Sequence, residues 1–219
     1  MARIILTLAG PWDKPPALRT PFSLSEGPPD PTLIDDFRAL AAETDGLDEA
    51  QLAAIAKHTM LITAEHAFEG PGKLDAAAAA AKLMHDAFAA GALGVRVETG
   101  LKVFGPGVTE GLDLREPAVL LHLLVEVVVD DEVVATEGMQ AFDLPDVQVR
   151  YDEEDGPAQA AAFALAARMA CDRFRPVDGG VFRASESAPL YAVQRVEPVA
   201  EPGPFDNPRG AWRLGLKAG

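Results

Sequence analysis

The sequence predicts an α+β protein: a mostly antiparallel sheet with helices packed on it, in a single domain spanning 1–219 with candidate halves 1–117 and 118–219. Three observations carry this. Short β-branched runs end in Gly, Pro or Asp turns, as in Val133 to Glu137 and Gly94 to Glu98. Two alanine-rich stretches, Lys73 to Ala90 and Pro157 to Phe174, are long enough only for helices. Hydrophobic residues make up 48% and charged residues 24%, so a core forms without metal or disulfide support.

The elements follow in order. Ile4 to Ala9 is a strand stopped by Gly10-Pro11, and the seven prolines between Pro11 and Pro31 predict a long loop. Asp30 or Thr32 caps a helix to Thr44 with Leu33, Phe37 and Leu40 on one face. Asp48 caps a second through Lys57. Thr59 to Phe68 reads as a strand and Glu69 to Gly72 as a turn. In the helix that follows, Leu74, Ala77, Ala81, Met84 and Phe88 recur at three and four, which makes one apolar stripe. Gly94 to Glu98 and Leu101 to Phe104 form a hairpin around Thr99-Gly100.

Val119 to Val129 is the most apolar stretch and is expected as a central strand. Asp130-Asp131 turns it onto Val133 to Glu137. Val147 to Tyr151 is a further strand, and the acids Asp152 to Asp155 sit where a helix N-terminus favours negative charge. Val181 to Ala184 and Leu190 to Val196 are strands, 198–208 is loop, and Ala211 to Lys217 adds an edge strand. Strand, helix, glycine, strand, strand thus occurs over Met60 to Phe104 and again over Val147 to Val196. This motivates two pseudo-repeated split βαβ, ferredoxin-like halves sharing one sheet.

Thirty-four acidic against 19 basic residues give a net charge of −15, which repels nucleic acid and anionic membranes and leaves a basic protein as the favoured partner. Cys171 alone cannot form an intrachain disulfide, so a reducing, cytoplasmic setting is expected. The apolar run before Pro11 is too short for a signal-peptide core, and Val119 to Val129 is half the length of a membrane span. No dinucleotide, phosphate-loop, zinc or nucleophile-elbow spacing occurs, so no cofactor is expected, and Gly70 to Lys73 reads as turn and cap. Oligomeric state stays open.

Four places gather polar groups. Glu137, Asp143 and Asp146 surround a strand exit with Gly138, Met139 and Pro145, and clustered carboxylates there suit a cation or a basic partner. His58 and His66 would lie about 26 Å apart on an extended strand, too far to share a metal. That leaves Glu65, His66 and Glu69 as a polar group at the strand end. His122 and Glu126 share a face of the expected central strand, as a satisfied core histidine or a cleft lining. His85 falls off its helix's apolar stripe and is expected to be exposed.

The segment Thr136-Glu-Gly-Met-Gln-Ala-Phe-Asp-Leu-Pro-Asp146, with His58 to Thr63 and Gly94 to Val97 before it, resembles a bacterial family catalogued as domain of unknown function 4261 over roughly residues 55–175. That family's expected pattern is Thr-x-Gly-Met-x-x-Phe-Gly-x-Pro-Glu, so Asp143 stands in place of a glycine and Asp146 in place of a glutamate. The resemblance implies a fold and no activity. The net charge of −15 and the absence of a catalytic constellation make a non-enzymatic binding protein of adaptor or immunity type the first expectation. A ligand site or enzyme pocket between sheet and helices is the second, and an assembly unit the third.

Overall fold

A computed structural model of the chain describes residues 1–44, 47–69, 73–130, 132–151, 156–201, 203 and 205–217. The chain is α+β, with two mostly antiparallel open sheets. The turn 70–72, Asp131 and the acids 152–155 lie outside the described residues.

The first sheet has the order β2 (Ser23–Gly27), β3 (Met60–Phe68), β1 (Ala2–Gly10), β4 (Gly94–Val97), β5 (Lys102–Phe104). β1 is its spine, antiparallel to both β3 and β4. Its alternation sends Ile4, Leu6 and Leu8 to one core and Ala9 to another. The second core lies under α1 (Leu33–Thr44) and α2 (Glu49–Ile55), where Leu33, Phe37, Leu52 and Ile55 meet Ala9 and Val103. The capping of α2 by Asp48 is as expected: Gln51 N–H donates to Asp48 Oδ1 at 2.7 Å, and Gln51 Oε1 accepts from Asp48 N–H at 2.9 Å. β2 falls inside the proline-rich stretch expected to be loop. Prolines flank it without interrupting it, and it occupies an edge, where few backbone donors are needed.

His58 is buried between these layers. Its Nε2 accepts from Asp30 N–H at 3.0 Å, which leaves Nδ1–H to donate to the Ile55 carbonyl at 2.9 Å. The imidazole thus ties the end of α2 to the start of α1. Replacing it with leucine removes both hydrogen bonds from this part-buried junction, and urea denaturation should show a loss of about 1 kcal/mol.

The second sheet has the order β6 (Glu126–Asp130), β7 (Val133–Glu137), β8 (Asp146–Arg150), β11 (Ala211–Leu216), β10 (Tyr191–Val196), β9 (Val181–Phe182). Three helices, α3 (Lys73–Ala89), α4 (Pro117–Leu124) and α5 (Gly156–Ala170), contribute to the large core that both sheets share. Met84 of α3, Leu120 and Leu124 of α4 and Leu165 of α5 meet Leu6 from one sheet and Val134, Val149 and Leu214 from the other.

Several expectations are corrected. Val119 to Val129 is not a central strand: α4 runs to Leu124 and the edge strand β6 begins at Glu126. Pro117 opens the helix, the leucine run continues it, and the change from leucine to valine at Val125 marks the switch. β11 is interior, parallel to β8 and antiparallel to β10. α5 stops at Ala170, and the following Val181–Phe182 pairing covers only two residues. The chain forms two sheets where one was expected. β3–α3–β4 is a split βαβ unit around β1, but β8 and β9 are separated by both β11 and β10, with the β9–β10 hairpin reversed laterally. The two segments are therefore not topological copies.

Candidate functional site

The second sheet buries one face against α5 through Val134 and Val149 and leaves the other, with Ala135 and Gln148, more open. At one end of that open face the segment following β10 folds back over β7 and β8. The result is a cleft of about 230 Å³. Glu137, Asp146, Glu197 and Asp206 contribute four carboxylates to its lining, beside Gln148, Asn207, Val199 and Phe205. The described lining residues include no Lys, Arg or His.

The turn between β7 and β8 positions the first two acids. Gly138, at φ 106°, starts a 3-10 turn over Met139–Phe142, and Asp143, at φ 54°, ends it. Met139 and Phe142 are buried in the large core, so the turn is anchored by its apolar residues. Asp146 then gathers three donors. Thr136 Oγ1–H and Met139 N–H donate to Oδ1 at 3.2 and 3.1 Å, and the Asn207 amide donates to Oδ2 at 2.6 Å. The same amide donates to the Leu144 carbonyl at 2.9 Å. Arg209 Nε–H donates to Asp143 Oδ1 at 2.5 Å, and the Gln140 amide donates to the Phe205 carbonyl at 3.2 Å. Three side chains of the 138–146 segment thus hold 205–209 in place.

Burial raises the carboxyl of Asp146 to about 7, with Glu137 adding to the rise and the hydrogen bonds from Asn207, Met139 and Thr136 opposing it. Burial also raises Glu137, and the neighbouring Asp206 raises it further. A buried Asp146 beside a half-buried Glu137, in a lining whose described residues include no basic side chain, favours positive charge in the cleft.

The other expected residues lie elsewhere. Met139 and Asp143 support the cleft from behind and do not line it. His122 is exposed on α4 rather than a core histidine. Glu126, at the start of β6, pairs with the buried Lys102 at 2.6 Å. Partial burial and the Lys102 charge lower His122, against the pull of Glu126. His66 is ringed by Phe22 and Phe68 at 5.2 and 5.7 Å, while Glu65 and Glu69 pair with Arg3 and the N-terminal ammonium. Alternation along β3 therefore separates the group that adjacency suggested. His85 is exposed as expected and meets Thr109 at 3.1 Å. Cys171 is half-buried, and burial with Asp172 and Glu116 raises its thiol, the opposite of an activated nucleophile.

Glu197, Phe205, Asp206 and Asn207 were not among the expected residues, because a proline-rich tail segment carries no periodicity to place it. A larger depression of about 760 Å³ runs beside Leu74, Ala78 and Leu114, but its polar groups Asp75, Lys82, His85 and Arg115 are all exposed. Among the described residues no group of three or more His, Cys, Asp or Glu is arranged to hold a metal ion. No helix among them is long and apolar enough to cross a membrane. Comparison of the chain with protein-family models, with curated proteins and with solved structures finds no match.

Proposed function

We propose that this protein is a non-enzymatic, cytoplasmic binding protein of adaptor or immunity type that receives a lysine or arginine side chain of a basic protein partner in the Glu137–Asp146–Asp206 cleft. One observation carries the reading: acids from two distant segments converge on a cleft whose described lining contains no base. At about 230 Å³ the cleft is below the usual range of small-molecule sites and suits a single side chain. A guanidinium, with five donors in a planar fork, suits carboxylates that reach the cleft from two segments.

Asp146 has a carboxyl poised near neutrality, as an acid or base would need, yet three donors of its own chain engage its oxygens. That supports holding the cleft together over turning over a substrate. The resemblance to the domain of unknown function 4261 family belongs to the same proposal and adds no activity to it.

Calorimetric titration with an arginine-rich peptide tests the proposal. Affinity should fall with added salt, and Glu137→Gln and Asp206→Asn should each weaken binding on the order of tenfold. Salt-indifferent binding, or affinity unchanged in both variants, would rule out the cleft as the site.

A further inference from the structure

The chain carries a second surface of opposite character, independent of the acidic cleft. After α5, Arg173 adopts a left-handed conformation at φ 56°, and the chain reverses so that Phe174 N–H donates to the Arg168 carbonyl at 3.0 Å. The Phe174 ring then lies 6.5 Å from Phe182, over which the Arg168 guanidinium sits at 5.6 Å. A turn closed by Gly180 N–H on the Val177 carbonyl leads into β9. Phe174 is 37% exposed, Val181 51% and Val177 70%, and Phe163 on α5 is 48% exposed.

Arg168 packs over Phe182, Arg173 and Arg175 flank Phe174 in sequence, Arg183 follows Phe182, and all four are exposed. Over residues 163–183 there are four arginines against two aspartates, in a chain whose net charge is −15. None of the four arginines forms an ion pair among the described residues. Exposed aromatic and arginine side chains around an apolar centre are the composition of protein interfaces.

We propose that this face, at the end of α5 and the approach to β9, docks an acidic amphipathic segment of another protein. Charge selects the occupant. The arginines complement acidic side chains at close range, and a narrow peptide can meet them alone, whereas an extended anionic bilayer also brings its charge within a Debye length, about 10 Å, of the negative surface around them. Two-fold pairing of the face with itself would set arginine against arginine.

The test uses the full chain and a dye-labelled peptide of about twenty residues, with leucine on one helical face and glutamate on the other, followed by fluorescence anisotropy. The peptide should bind better than a scrambled peptide of the same composition. The double variant Arg173→Glu, Arg175→Glu should weaken it by about tenfold or more, whereas Glu137→Gln should leave it unchanged. If the double variant melts early, Val177→Ser, at the most exposed position of the face, should still weaken binding severalfold at constant salt.

Three results would overturn the proposal. They are no preference over the scrambled peptide, binding to vesicles of anionic lipid but not to the peptide, and sedimentation showing copies of the chain associating through this face with the peptide excluded. Loss of arginine-peptide binding in the Glu137→Gln variant bears only on the acidic cleft, so the two surfaces are separable by experiment.

Discussion

Gly138→Ala should destabilise the protein by about 4 kcal/mol, enough to remove most of the stability of an ordinary domain. Two independent effects add. A Cβ at this position would lie 2.2 Å from the Leu124 carbonyl oxygen and 3.0 Å from Gly100 Cα, both backbone atoms that cannot swing aside. The residue also sits at φ 106°, which alanine adopts only under strain. The same Leu124 oxygen lies 2.2 Å from a Cβ built on Gly100, so the β4–β5 turn, the end of α4 and the β7–β8 turn meet at one crowded point. Crowding here would push the Met139–Phe142 turn out of the shared core and loosen the acids that follow it. Urea denaturation of the variant, beside Gly107→Ala with nothing within 4 Å of its Cβ, measures the difference; equal midpoints would contradict the close-packed junction.

Asp146→Asn should change how stability depends on pH. The carboxyl sits at about 7 in the folded chain against an ordinary value of 3.8, so the folded state binds the proton more tightly than the unfolded one. The corresponding stability is fully present below about 4 and is lost as pH rises through about 7. By proton linkage the loss amounts to about 4 kcal/mol. The asparagine variant lacks this dependence, but its amide meets the Asn207 amide donor to donor, at a cost of about 2 kcal/mol. Wild type should therefore be the more stable protein at pH 4.5 and the less stable at pH 8.5. Other carboxylates titrate in both chains, so the difference between the two curves is the quantity to read. Parallel curves would show that Asp146 does not hold its proton as described.

This arrangement also bears on binding. A cation placed beside Glu137 favours its ionised form and reduces the cost that burial imposes on Asp146. Basic-peptide affinity should consequently rise between pH 5 and pH 8, and the rise should be smaller in Glu137→Gln. A flat profile in wild type would mean that these carboxyls do not face the bound cation.

Much of the architecture was legible from local pattern. The cap at Asp48, the apolar stripe of α3, the β4–β5 and β6–β7 hairpins and the strand after Pro145 follow from residue chemistry within a few positions of each element. The Val119 to Val129 stretch went astray because a helix buried on nearly all sides and a buried strand are both simply apolar. Only Pro117 and the change from leucine to valine tell them apart.

The sequence by itself determined the acidity, the lone cysteine and the polar strand exit around Glu137 and Asp146, since these depend only on which residues are present and in what order. Tertiary structure decided the rest of the site. Lateral strand order has no local code, so nothing near Ala211 announces that β11 lies between β8 and β10. That placement brings Asp206 and Asn207, about sixty residues away in the chain, onto the same carboxylates. Distance along the chain says nothing about such a meeting; it arises because Asn207 and Arg209 supply the hydrogen-bond donors that buried Asp146 and Asp143 require.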